Sequence, residues 1–158
     1  MADDIAALRR ILRSSRTIAI VGLSAEWHRP SFFAAKYMQE HGYRVIPVNP
    51  RYDEVLGERC HASLATIEVP IDIVDVFRRT EDVMPIAEQA IAIQAKCLWQ
   101  QIGVKNEAAA ALAAAAGLDV VMDRCVKMEH GRFDGTLHWG GMNTEIISAR
   151  KAAMPRRR

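Results

Sequence analysis

Arginines, serines and one amide cluster at a few turns of this chain, in a pattern suited to holding phosphate. The first group is Gly22-Leu23-Ser24 with Arg29-Pro30-Ser31, the two ends of one long turn. The second is Pro47-Val48-Asn49, followed by Pro50 and Arg51. The third is Val76-Phe77-Arg78-Arg79. Guanidinium groups, hydroxyls and free backbone N–H groups at a helix start all favour an anion. Each group also has a plainer reading. The first suits an ordinary loop with an arginine facing water, and the second a strand terminator with a surface charge. Arg78 and Arg79 would equally suit surface pairing with Asp75, Glu81 and Asp82, which contributes about 0–1 kcal/mol per exposed pair.

The same turns exclude the commonest nucleotide motifs. An NAD site needs G-x-G-x-x-G, and only Gly22 is present; a Walker A loop fails because no G-K-[ST] follows. NAD enzymes also place an acid at the end of the second strand, where it holds the free ribose diol. Here that end carries Asn49 and then Arg51, with no acid before Asp53. An amide followed by a cation suits a phosphorylated ribose better, and both NADP and coenzyme A carry one.

No catalytic or metal-binding constellation stands out. His28, His41, His61, His130 and His138 lie in no recognisable nucleophile or ligand spacing. Of these, His130 is the most suggestive, because Glu129 beside it could complete an acid/base pair; surface structure is the simpler reading. Cys60, Cys97 and Cys125 form no C-x-x-C pair, which points to reduced thiols in a cytoplasmic protein. Cys125 follows a strand end beside Arg124, a setting for a thiolate able to form a mixed disulfide under oxidation. A buried, inert thiol is the simpler reading.

The elements that must position these groups are read from periodicity. Residues 3–13 suit a helix with Ile5, Leu8 and Leu12 inward. Residues 17–21, 44–48, 71–77, 96–99 and 118–122 are short apolar runs of the kind that form strands buried on both faces. Between them lie a helix from Pro30 or Ser31 to His41, burying Phe33, Tyr37 and Met38, and one with Val83, Ile86, Ala87, Ala90 and Ile91 on a single face. The start of the second is open between Thr80 and Asp82. Asn106 caps an alanine-rich helix over 107–116. This alternation predicts an α/β fold, a doubly wound and mainly parallel five-stranded sheet with helices on both faces. All the candidate groups then fall at the carboxyl ends of strands, where such sheets bind ligands.

Bulk properties agree with one domain. The chain has 158 residues and a net charge of +2, which makes no case for nucleic acid. No stretch reaches the roughly 20 apolar residues that cross a bilayer. Asp3 and Asp4 stand where a signal peptide would be basic, so export is not expected. The basic run Arg156–Arg158 reads as a solvated tail, and assembly into a homo-oligomer is left open.

Taken together, VGLS with RPS, YRVIPVNPRYDEVLG, DIVDVFRR, LWQQIGVKNEAA and VVMDRC resemble the CoA-binding protein family over about residues 5–133. Its Rossmann-like fold is similar to the N-terminal CoA-binding domain of the succinyl-CoA synthetase alpha subunit. The resemblance implies coenzyme A as cofactor, with Gly22, Leu23 and Ser24 lining its phosphates and Arg29, Pro30 and Ser31 alongside. Pro47, Val48, Asn49 and Arg51 would face the adenosine and its 3′-phosphate, while Val76, Phe77, Arg78 and Arg79 flank the nucleotide. Residues 134–158 would be a C-terminal extension. The chain has no room for the synthetase's second domain, which bears a phosphorylated histidine. The implied function is binding of CoA or an acyl-CoA without a catalytic centre. An NADP-type oxidoreductase or redox sensor, or an acyl-CoA-handling subunit completed by a partner, are the alternatives.

Overall fold

A computed structural model describes Ala2 and residues 4–133. The chain opens with α1 (Ile5–Ser14), β1 (Thr17–Val21), α2 (Pro30–Glu40) and β2 (Arg44–Val48), then a small hairpin of β3 (Glu54–Val55) and β4 (Glu58–Arg59). It continues through β5 (Ile73–Val76), α3 (Val83–Ala92), β6 (Cys97–Gln100), α4 (Glu107–Ala115), β7 (Asp119–Val121) and α5 (Val126–Phe133). Five strands make one sheet in the order β2-β1-β5-β6-β7. Every pairing in it is parallel. The fold is the expected doubly wound, Rossmann-like α/β architecture.

Alternation along the strands divides the core into two layers. Ile18 and Ile20 of β1 pack with Leu8, Leu12, Met38 and Phe133, so α1, α2 and α5 cover one face. Ala19 and Val21 pack with Val83, Ala87, Ala109 and Ala113, so α3 and α4 cover the other. The alanines of α4 let it lie close to the sheet, and Asn106 starts the helix by accepting the Ala109 N–H at 2.9 Å. Both sheet edges are covered. Pro47 gives β2 a position without an N–H, while its carbonyl accepts from His61 N–H at 2.9 Å. At the other edge Ala2 N–H donates to Val120 O at 2.8 Å.

Several local expectations shift by a turn or a residue. The inward face of α2 is Ser31, Ala34, Ala35 and Met38, spaced by three or four. Phe33 falls off that stripe and is 50% exposed, against the expectation that it is buried. Likewise Ile5 lies in the first turn of α1 and is 57% exposed, with Ile11 buried in its place beside Leu8 and Leu12. A 3-10 turn over Thr80–Asp82 leads into α3, which settles its start at Val83. Pro85 is then in the first turn, where its missing N–H costs nothing. The extension 134–158 lies outside the described residues.

One core position breaks the apolar pattern. Asp75, on β5, lies between Ile20 of β1 and Trp99 of β6 and is fully buried. It therefore cannot serve as a surface partner for Arg78 or Arg79. Its Oδ1 accepts from Gln101 Nε2 at 2.6 Å, while Oδ2 has no hydrogen-bond partner. Burial pushes its pKa from 3.8 up to about 8, against the opposing pull of the Gln101 hydrogen bond. Between those two values the native state holds a proton that the unfolded chain releases. Stability falls as pH rises through that window, by at most about 1.4 kcal/mol per pH unit, and levels above it. Urea titrations at intervals from pH 5 to pH 9 should show this fall in the wild type and its loss in Asp75→Asn. Parallel curves for the two proteins would mean that Asp75 does not carry the proton.

Candidate functional site

The chain runs from β1 out to β2 and then returns across β1 to β5, so the direction of winding reverses between β1 and β5. Doubly wound sheets leave a crevice at the carboxyl ends of the strands at such a reversal. Gly22 forms its floor. Its φ is +91°, and an added Cβ would lie 2.4 Å from Phe77 O and 2.9 Å from Arg78 Cδ. Its N–H donates to Val48 O at 2.8 Å, and Phe77 N–H donates to Val21 O at 2.9 Å. Three strand ends are thus laced together by main chain alone.

The long turn after β1 is held shut by its own serines. Ser24 N–H donates to Ser31 Oγ at 3.0 Å, and Ser24 Oγ accepts from Glu26 N–H at 3.0 Å. Across the crevice, Asn49 Nδ2 donates to Leu23 O at 3.1 Å, and Asn49 Oδ1 accepts from Arg51 N–H at 3.0 Å. Asn49 is therefore a buried fastener between the β1 turn and the β2 turn.

These contacts enclose a hollow of about 290 Å³. Gly22, Ser24, Arg29, Pro30 and Ser31 line it from the β1 turn and the start of α2, Asn49 and Arg51 from beyond β2, and Phe77 and Arg78 from beyond β5. Tyr52 and Glu26 complete the wall, and sequence reasoning missed both. The position of Tyr52 next to Arg51 was the available signal; Glu26 in mid-turn gave none. A second hollow of about 530 Å³ adjoins the first by sharing Phe77 and Arg78, and it is lined also by Arg79, Asp82 and Gln101.

Five of the anticipated positions do not line the first hollow. Val48 and Val76 are turned into the core by strand alternation, Leu23 in the turn after β1 packs with the core residues Ile18, Ile20 and Met38, and Pro47 lies on the edge strand β2. Arg79 belongs to the second hollow.

The walls are cationic. Arg29 Nε lies 3.3 Å from Glu26 Oε1, and Arg78 Nη2 lies 4.0 Å from Asp82 Oδ2. Arg79 pairs with Asp82 at 3.2 Å and Glu81 at 3.8 Å. Arg51 has no carboxylate partner among the described residues and lies 5.8 Å from the centre of the Tyr52 ring. Ion pairs this exposed contribute about 0–1 kcal/mol, so these carboxylates are readily exchanged for another anion.

The other reactive candidates lie elsewhere. His130 is buried rather than on the surface. Its Nδ1 is 3.0 Å from Tyr37 Oη, and Tyr43 and His41 stand edge-on to its ring. It shares a hollow with Arg16, Gly42 and Tyr43, at the amino ends of β1 and β2. Glu129 is buried too, 3.0 Å from Arg132 and 3.5 Å from Arg124, so it is bound in ion pairs. Cys125 is partly buried, and burial raises its thiol pKa against the pull of the Met128 and Lys127 amides. The thiol form is favoured there, in line with the simpler reading of Cys125 and against the thiolate suggested by Arg124. His138 lies outside the described residues, among which no metal-binding group of three or more His, Cys, Asp or Glu occurs. Nor, among them, is any helix long and apolar enough to cross a membrane.

The chain belongs to the family of CoA-binding domains, whose model matches residues 16–131. It is 44% identical over 125 residues to the uncharacterized protein YneT of Bacillus subtilis (strain 168), covering 79% of this chain and 93% of that one. A hypothetical protein from Pyrococcus horikoshii OT3 has a similar solved structure, with a TM-score of 0.81 and 40% identity over 83% of this chain and 92% of its own. A shorter match, 29% identical over 58 residues, is to the ADP-forming acetate–CoA ligase of Methanocaldococcus jannaschii. It spans 37% of this chain and 8% of the ligase.

Because Gly22 combines a positive φ with contact against main chain, Gly22→Ala should cost on the order of 3 kcal/mol. Melting should fall by roughly 6–12 °C for a chain of this size. A melting temperature within 2 °C of wild type, read by circular dichroism, would show that the strand ends can part freely.

Proposed function

We propose that this member of the CoA-binding domain family binds coenzyme A or an acyl-CoA across the carboxyl ends of β2, β1 and β5, with no covalent step assigned to the chain itself. The observation that carries this reading is the gathering of Arg29, Arg51 and Arg78 around the Gly22 floor, with an amide where NAD enzymes carry an acid. Coenzyme A brings a pyrophosphate and a 3′-phosphate joined by a ribose, so it needs cations at two separate places. Arg29, beside the start of α2, is assigned to the pyrophosphate, where the helix N-terminus and the turn N–H groups add to its attraction. Arg51, on the β2 side, is assigned to the ribose phosphate, with Tyr52 beside it as a flat surface for the base. The ridge of Phe77 and Arg78 lets an extended ligand continue from the first hollow into the second. The name of the acetate–CoA ligase that shares a short segment supports the same ligand.

The reading is tested by calorimetric titration with CoA, 3′-dephospho-CoA, acetyl-CoA, NADPH and NADH. CoA should bind more tightly than either nicotinamide nucleotide. Loss of one charge-assisted contact costs about 1.5–3 kcal/mol, so Arg51→Ala should weaken CoA by roughly 10- to 100-fold. The same variant should leave 3′-dephospho-CoA nearly unchanged, while Arg29→Ala weakens both. NADPH binding ahead of CoA, with the same dependence on Arg51, would overturn the assignment in favour of an NADP site.

A further inference from the structure

Among the described residues, the carboxylate of Glu26 is the only acidic side chain on the wall of the first hollow, and it stands beside Arg29. A single oxygen, Oε1, faces two groups at once: Arg29 Nε at 3.3 Å and His28 Nε2 at 3.5 Å. The backbone of Glu26 is fixed on both sides. Its N–H donates to Ser24 Oγ at 3.0 Å, and its carbonyl accepts from Arg29 N–H at 3.0 Å. The carboxylate can therefore leave Arg29 by side-chain rotation, with no change in the turn. It is half-exposed, so the departing group is rehydrated at once.

We infer that Glu26 is a built-in stand-in for a ligand phosphate: it neutralises Arg29 in the empty site and is displaced when the pyrophosphate of the ligand arrives. This deepens the CoA assignment of the same hollow and rests on it. A guanidinium left alone attracts any small anion undiminished; one already paired favours a group that offers more charge than a carboxylate. A doubly charged diphosphate does, and the start of α2 beside Arg29 adds to its attraction. Glu26 thus biases the hollow toward ligands of higher charge at the cost of some affinity.

The test is Glu26→Gln, which keeps size and polarity while removing the competing charge. Binding of CoA and of inorganic pyrophosphate is measured by calorimetry in the wild type, Glu26→Gln, Arg29→Ala and the double variant, with melting temperatures recorded to confirm folding. Glu26→Gln should tighten both probes about 5-fold, the scale expected of an exposed ion pair. In the Arg29→Ala background the gain should shrink below about 2-fold, because the competitor then has nothing to occupy. Unchanged or weaker binding of both probes in folded Glu26→Gln would overturn the inference and make Glu26 a support for Arg29. A gain that persists undiminished without Arg29 would also overturn it, since Glu26 would then act by plain repulsion. If pyrophosphate follows the expected pattern while CoA does not bind at all, the stand-in role holds and the CoA assignment fails.

Discussion

The approach of the backbone at Gly22 to that at Phe77 governs the rest of this molecule. A β-carbon at position 22 would lie 2.4 Å from a carbonyl oxygen, a distance no packing adjustment absorbs while β1 and β5 stay paired. The absence of that carbon lets the chain turn out of β1 with a positive φ and still donate its N–H to the end of β2. Three strand ends then close on one another at the place where the winding reverses. The floor of the crevice is main chain, so its chemistry has to come from the walls, and every wall is a turn that leaves one of those three strands.

The residues around the floor divide into those that hold it and those that face outward. Leu23, Val48 and Val76 belong to the first kind, packed beneath the hollow where they fix the spacing of the strand ends. Asn49 does both. Its Nδ2 satisfies the Leu23 carbonyl and its Oδ1 receives the Arg51 N–H, which sets the direction in which Arg51 leaves the β2 turn. An aspartate there could accept from Arg51 but could not donate to Leu23, leaving a buried carbonyl unpaired at a cost of about 1–3 kcal/mol. The absence of the acid typical of NAD sites thus has a structural cause as well as a consequence for ligand choice.

The architecture was legible because buried parallel strands are nearly continuous apolar runs, and Thr17–Val21, Arg44–Val48 and Ile73–Val76 all read that way. Glycine, proline and Asn106 then marked the helix limits. Side-chain direction was less legible. Phe33 is one step off its stripe, whereas Ile5 keeps the stripe's spacing but lies in the first turn of α1, and in both cases apolar character alone assigns the residue to the core. The β3–β4 hairpin escaped notice because Leu56 occupies a positive φ of 54° beside Gly57, where asparagine or aspartate would have signalled the turn. At the site, the residue types were visible but not which of them face the hollow. That depends on register at the last residue of each strand, which separates Phe77 from Val76 and Asn49 from Val48. His130 was misread for a related reason: its partners Tyr37, His41 and Tyr43 come from a distant part of the chain.

Charge at the crevice is set at two depths. At the rim, Arg29 and Arg78 hold exposed carboxylates at distances of 3.3–4.0 Å, arrangements that water already competes for and a polyanion can replace. Deeper, Asp75 lies on β5 only two residues before Phe77, and an ionised carboxylate there would oppose any anion in the crevice. With so little water around it, that opposition would be poorly screened. Burial removes the problem by holding the group protonated until about pH 8. The same low-dielectric core that makes the strands a rigid floor thus keeps the acid behind that floor neutral, and the sign of the crevice is left to the arginines.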